Sequence, residues 1–324
     1  WRETGRLSAD REFEPNNTVG EANELKIDLV VQGRLASGED MDVFKVTSAK
    51  TEPQAMRIRV TGTDGLHLAV VLSDDGKPLS PESQLRGGSV EIPGYVLSLG
   101  DGQGQPAGTL YVAVRCRYNY RATDAEYSIV ATEVGPWKEA REKEPNLDWA
   151  KAGKMETGRE LTGEISPDGD EDHFLWTVPR DERALHTLFF QAPEGISMRL
   201  QCFVLAKDKE WVELLNVSND GNQKKPFVMP NFLPRPGKYG FKVAAWGASS
   251  SSYTLRLGRQ AGPEAGHDIE PNTKAEFAIP LEVGRAYAGS TTYGDDWDHY
   301  LLAKPAGKAY RLRMKPLAEA GLEV

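Results

Sequence analysis

Carboxylates recur along this chain in a pattern that can hold a hard cation. Glu12, Glu14, Pro15 and Asn16 form one group; Glu142, Glu144, Pro145 and Asn146 repeat it; Asp268, Glu270, Pro271 and Asn272 repeat it again. Twenty-six residues after the second acid of each group stands an Asp-Xaa-Asp pair, followed two positions on by an aromatic residue. The three sets are Asp40, Asp42 and Phe44; Asp170, Asp172 and Phe174; Asp296, Asp298 and Tyr300. A glycine precedes each pair by seven residues, at Gly33, Gly163 and Gly289. Four carboxylates and an amide, with no Cys or paired His among them, make an oxygen-only donor set. Such a set favours calcium over magnesium, which takes fewer protein ligands and keeps more of its water. The proline disfavours helix in the residue before it, so the acids are expected on an extended segment, where residues i and i+2 point the same way. The competing reading is a polar corner, with Glu-Pro-Asn opening a domain as a turn and Asp-Xaa-Asp lying before a strand. Charge weighs against it, because clustered acids without a cation repel and raise one another's pKa values.

A repeat of near 130 residues is too long for a solenoid unit, so each copy is expected to be a domain. The expected boundaries are 9–134 and 138–259 for two β-sandwich repeats and 266–324 for a partial third. Val134-Gly135-Pro136 and the Gly- and Pro-containing stretch from Gly258 to Gly266 mark the linkers. The chain starts at Trp1 without a Met and the third copy stops at Val324, which points to a piece of a larger parent chain, with any catalytic domain outside it.

The elements that must position the acids read as strands. Met56, Ile58 and Val60 alternate with Arg57 and Arg59, while Val112, Val114, Cys116 and Tyr118 share the expected core face of their strand. In the second copy Met198, Leu200, Cys202 and Val204 alternate likewise, and each copy finishes with a Tyr-led strand, at Tyr127 and Tyr253. Asp74-Asp75-Gly76 reads as a hairpin turn. The fold class is therefore all-β, as tandem antiparallel β-sandwich, jelly-roll-like domains. Helix signals are confined to linkers, notably residues 136–152.

Composition excludes other classes. Hydrophobic residues make up 39% of 324, which fits neither disorder nor a membrane protein, and no apolar run reaches the length of a transmembrane helix. A net charge of −9 without a basic block argues against nucleic acid as a partner. The five histidines, His67, His173, His186, His267 and His299, show no zinc spacing. His173 and His299 sit beside the second Asp of their pairs, but the first copy has Val43 there, so no repeated base is implied. No nucleophile elbow is present, and Gly100-Asp-Gly102-Gln-Gly104 reads as a loop because no helix follows it. The expectation is that this segment is not an enzyme. Cys116 and Cys202, one per domain, are expected as buried free thiols. Trp176, Trp211 and Trp246 are expected mainly as packing residues, with a sugar platform as the alternative, and Tyr111, Arg115 and Arg117 are candidates for an outer face.

The Glu-Xaa-Glu-Pro-Asn group, the glycine, the Asp-Xaa-Asp-Xaa-aromatic strand start and the late Tyr strand resemble the bacterial pre-peptidase C-terminal domain, to which the collagen-binding domains of clostridial collagenases are similar. The resemblance covers both complete copies and the front of the third. It implies a jelly-roll-like sandwich appended to secreted proteins, with calcium, up to one ion per repeat, held by the entrance acids, the asparagine and the acidic turn. Carried over, the ligands are Glu12, Glu14, Asn16 and Asp40; Glu142, Glu144, Asn146 and Asp170; and Asp268, Glu270, Asn272 and Asp296. Asp42, Asp172 and Asp298 are further candidates. Asn17 follows the asparagine in the first copy, whereas Leu147 and Thr273 stand there in the others, which removes one oxygen donor. The function implied is a non-catalytic spacer, stabilising or tethering region of a secreted, cell-surface or periplasmic protein. The alternatives are an array binding a polysaccharide or collagen-like protein, and an accessory region of an exported protease.

Overall fold

A computed structural model describes residues 10–64, 67–73, 75–85, 88–97, 108–116, 126–219, 225–247, 249, 251–264, 268–287, 289, 297–303 and 309–315. Asp74, the Gly100–Gly104 loop, Arg117, Tyr118, His267 and Asp296 lie outside these residues. The first copy supplies β1 (Asn23–Glu24), β2 (Val31–Arg34), β3 (Met41–Thr47), β4 (Gln54–Thr61), β5 (His67–Leu72), β6 (Ser83–Gln84), β7 (Ser89–Leu97), β8 (Thr109–Cys116) and β9 (Glu126–Pro136). They form a five-stranded sheet in the order β1-β3-β8-β5-β6 and a four-stranded sheet in the order β2-β9-β4-β7.

The second copy supplies β10 (Gly153–Lys154), β11 (Glu160–Gly163), β12 (Glu171–Val178), β13 (His186–Gln191), β14 (Met198–Leu205), β15 (Trp211–Asn219), β16 (Phe227–Phe232), β17 (Gly237–Ala245) and β18 (Tyr253–Arg259). Their sheet orders, β10-β12-β17-β14-β15 and β11-β18-β13-β16, repeat those of the first copy strand for strand. Pairing is antiparallel except for β1 with β3 and β10 with β12. In the third copy a 3-10 turn at Ala275–Phe277 leads to β19 (Ile279–Leu281), which pairs in parallel with β20 (Tyr300–Leu302). Ile279 lies opposite Tyr300 as Asn23 lies opposite Phe44 and Gly153 opposite Phe174, so the described part of this copy begins as the other two do.

Period-two alternation places one face of each sheet inside. Met56, Ile58, Val112, Val114, Phe44 and Tyr127 meet in the first core, and Leu200, Cys202, Phe174, Trp176, Phe241 and Tyr253 in the second. Cys116 and Cys202 are buried free thiols, as expected, and burial raises both thiol pKa values. The outer face of β3, β5 and β8 is also apolar, and Val19, Ala22 and Tyr111 pack on its Val43, Val70 and Ala113. At the position of Val19 the second copy has Trp149, whose ring stacks on Trp211 at 4.5 Å and meets His173 edge-on at 4.5 Å. Gly240 lies beneath, where a Cβ atom would stand 2.5 Å from the Trp149 ring. Of the three tryptophans singled out above, Trp176 is core, Trp211 is in this stack, and Trp246 is 62% exposed beside Arg199.

The linker signals mislead at one place. Of the stretch 136–152, Pro136 ends β9 and the remainder forms turns and isolated bridges and no helix. Their backbone groups pair outward, Trp137 N to Pro53 O at 2.8 Å and Glu142 N to Thr162 O at 2.9 Å, and these tertiary bonds override local helix propensity.

Candidate metal centres

The entrance segments of the first two copies are held on their own sandwiches by the same bonds, and the third shares one of them. Glu12 N donates to Gln32 O at 3.0 Å and Glu142 N to Thr162 O at 2.9 Å, which brings the first acid beside the glycine of β2 or β11. Asn16 O, Asn146 O and Asn272 O accept from Val43 N, His173 N and His299 N at 2.9, 3.1 and 2.9 Å, fixing the asparagine against the strand that follows the acidic pair. The second acid turns back on its own turn: Glu14 Oε2, Glu144 Oε2 and Glu270 Oε2 accept from the backbone N of Asn16, Asn146 and Asn272 at 3.2, 3.1 and 3.0 Å. All three Glu-Pro peptide bonds in these segments are cis.

Three acids per copy converge: Glu12, Glu14 and Asp42; Glu142, Glu144 and Asp172; Asp268, Glu270 and Asp298. Each group offers ligand oxygens that all lie within 4.8 Å of one another. The member contributed by Asp-Xaa-Asp is thus the second aspartate. The first one faces its own loop, Asp40 Oδ2 accepting from Ala36 N at 2.5 Å and Asp170 Oδ2 from Ser166 N at 3.0 Å. The strand starts explain the split: Asp40 and Asp170 stand in the turns just before β3 and β12, whereas Asp42 and Asp172, both fully buried, lie within those strands on the same inward face as Phe44 and Phe174.

The glycine and the late tyrosine complete the arrangement. Gly33 pairs with Tyr127 and Gly163 with Tyr253 across the sheet. A Cβ atom on Gly33 would overlap the Tyr127 ring and stand 2.7 Å from Glu12 Oε2; on Gly163 it would overlap Glu142 Oε2 and the Tyr253 hydroxyl. The missing side chain lets the phenol reach the acids. Tyr127 OH donates to Asp42 Oδ2 at 2.5 Å and lies 3.1 Å from Glu12 Oε2, and Tyr253 OH donates to Asp172 Oδ2 at 2.6 Å. In the third copy Tyr300, from the aromatic position after the pair, donates to Asp268 Oδ2 at 2.8 Å. Sequence reading placed Tyr127 and Tyr253 only in a terminal strand; their recurrence at the head of the last strand in both copies was the available signal. Tyr253→Phe is expected to cost about 1–3 kcal/mol, since it strips a buried carboxylate oxygen of its donor, and a urea midpoint checks it.

Protein donors do not satisfy the second centre. Glu142 Oε2, Glu144 Oε1, Asp172 Oδ1 and both polar atoms of the Asn146 side chain are buried without a hydrogen-bond partner among the described residues. In the first centre the Asn16 carboxamide is satisfied by protein groups with its nitrogen toward the acids, donating to Asp42 Oδ1 at 3.1 Å and Glu14 Oε2 at 3.2 Å, and its oxygen accepting from Asn23 Nδ2 at 3.2 Å.

The electrostatics agree. Burial, then the facing Glu12, pushes the Asp42 carboxyl up to about 9. Burial and the nearby Asp172 raise Glu142 and Glu144 well above the carboxylate range, and Asp170 rises for the same reasons. Without a cation, burial and mutual repulsion favour the protonated form of these acids; with one they can ionise and bind it.

The sequence matches no known protein-family profile and no curated protein. Among solved structures it is similar to the pre-peptidase C-terminal domain of a collagenase from Bacillus anthracis, at 19% identity over 37% of this chain and 99% of that one, with a TM-score of 0.27. A protein from Eubacterium rectale, described as a secreted one, is similar at 11% identity over 76% of this chain and 84% of that one, with a TM-score of 0.25. The tandem CBM22-1–CBM22-2 domain of Paenibacillus barcinonensis Xyn10C is similar at 11% identity over 71% and 87%, with a TM-score of 0.19. At these values the likenesses assign no role to any residue of this chain.

Proposed function

We propose that the chain is a non-catalytic array of calcium-stabilised β-sandwich modules, with a third copy beginning at Asp268, in a secreted or cell-surface protein. It spaces, stabilises or tethers the rest of that protein, and the ion at each entrance stiffens the approach to its module. The observation that carries this reading is the second centre, where three carboxylates converge with a buried asparagine whose side chain has no protein partner. Glu142, Glu144, Asp172 and Asn146 would hold the ion there, and Glu12, Glu14, Asp42 and Asn16 would do so in the first copy. Calcium supplies charge neutralisation and no chemistry of its own, so the residues act by fixing backbone.

Thermal unfolding in calcium, in magnesium and in chelator tests the proposal, with a Glu14→Ala/Glu144→Ala double variant alongside. A calcium-specific rise in Tm is expected, worth about 2.7 kcal/mol at a hundredfold excess over Kd. The double variant should lose most of it. Equal melting in calcium and chelator would leave the motif as a polar corner.

A further inference from the structure

The second acid of the motif is exposed in the first copy, at Glu14, but 7% exposed at Glu144 and 5% at Glu270. The preceding sandwich covers it. Glu144 N donates to Gly94 O at 3.1 Å, and Glu144 bridges in parallel to Tyr95 on β7. One copy further on, Glu270 N donates to Asn231 O at 3.0 Å, Leu233 N donates to Glu270 O at 2.6 Å, and Glu270 bridges in parallel to Phe232 on β16.

β7 and β16 are the equivalent edge strands of their four-stranded sheets. Both carry Pro-(Gly/Asn)-aromatic, Pro93-Gly94-Tyr95 and Pro230-Asn231-Phe232, with the middle residue in the left-handed region at φ 85° and 59°. Pairing of β4 with β7 shifts register between Met56 and Ile58, opposite Pro93 and Gly94, so the edge bulges there. Gly94 lies against the acids so closely that a Cβ atom would stand 2.9 Å from Glu144 Cγ and 3.5 Å from Glu142 Oε1. The Tyr95 hydroxyl is buried without a hydrogen-bond partner among the described residues, and burial, then the charges of Glu144 and Asp170, raises its pKa.

The joint is further tied by the Ser166 hydroxyl donating to Glu91 O at 2.6 Å. Buried Glu164 pairs with Arg57 of β4 at 2.9 Å and with Arg141 at 2.7 Å, while its own N donates to Glu142 Oε1 at 2.8 Å. The same short stretch thus holds a candidate ligand and contacts the neighbouring sandwich.

We propose that the second and third centres are composite: the left-handed bulge of the preceding repeat is the receptor for the entrance motif, so docking of that repeat and cation binding form one linked equilibrium. Each then strengthens the other by the same factor. The inference rests on the calcium reading above. It makes the first centre of this chain the weak one, because Glu14 is exposed whereas Glu144 and Glu270 are covered by a neighbouring sandwich.

Calcium calorimetry and small-angle scattering on the full 324-residue chain, with Gly94→Ala and Ser166→Ala, test this. In the unaltered chain the expected result is tight binding at the two joined centres, weak binding at the first, and a smaller maximum dimension with calcium than with chelator. Gly94→Ala should weaken one tight class about 10-fold and leave the weak class unchanged. Ser166→Ala, which leaves the bulge intact, reads the same coupling at several-fold if the alanine at 94 unfolds the first sandwich. Calcium binding with unchanged affinities in a folded Gly94→Ala chain, or in Ser166→Ala where the first does not fold, overturns the coupling and leaves the calcium reading standing. No calcium binding by the unaltered chain overturns both.

Discussion

Gly163→Ala is expected to abolish the second centre and to destabilise its sandwich by about 3 kcal/mol, the upper end of ordinary overpacking. The new methyl would overlap Glu142 Oε2 and the Tyr253 hydroxyl. Neither can move aside cheaply. Glu142 is 2% exposed and held by Glu164 N, and Tyr253 is fully buried in the core. β11 cannot shift either, because Leu161 and Thr162 are in register with Leu255 and Thr254, and a slip by one residue would turn Leu161 out of the core. The urea midpoint of the second sandwich should fall, and its calcium response should vanish. An alanine chain that unfolds at the same urea concentration and still responds to calcium would refute the role of this glycine. Gly33→Ala should act in the same direction with smaller effect, since Glu12 is only half-buried.

The second large effect is a pH dependence that calcium reverses. Asp42 rises from 3.8 to about 9 on folding, and Glu142, Glu144 and Asp172 also rise, burial being the leading cause throughout. A carboxyl with a raised folded-state pKa binds more protons folded than unfolded. Its contribution to stability is complete below the unfolded value and is lost as pH climbs through the folded one. In chelator the Tm should therefore fall between about pH 5 and 9, by about 10 °C for a loss of 2–3 kcal/mol. Calcium replaces the protons, so its stabilisation should grow over the same window. Calorimetric scans at pH 5, 7 and 8.5, with and without calcium, read both trends. A Tm in chelator that is flat or rises with pH would show that these acids do not share buried protons in the apo chain.

The repeat, the strands and the convergence of the acids were legible because they rest on local rules: alternation shows a strand, and equal spacing in three copies shows one device used three times. Which aspartate of each pair turns inward was less legible, since both Asp40 and Asp42 lie near the other acids and the residue at which β3 begins, Met41, decides between them. The need for glycine at Gly33 and Gly163 was visible as a constant spacing, yet its reason, a phenol arriving from the last strand, is a contact between residues far apart in sequence. The joint was hidden altogether. Pro93-Gly94-Tyr95 and Pro230-Asn231-Phe232 share a pattern but stand at unequal distances from the motif that follows, so a search at fixed spacing passes over them. Arg57 read as the polar face of an alternating strand, and its partner Glu164 belongs to the next repeat.

The pairing of β7 with the segment around Glu144 also bears on how the array leaves the ribosome. A nascent first sandwich can close its core once β9 has emerged, but its outer edge at Gly94 stays bare until the next entrance segment follows. An uncovered edge with open backbone groups is a template for pairing with other chains. Fragments cut within residues 134–138 should therefore self-associate more than fragments carried through Asn146, even though both contain the whole first core.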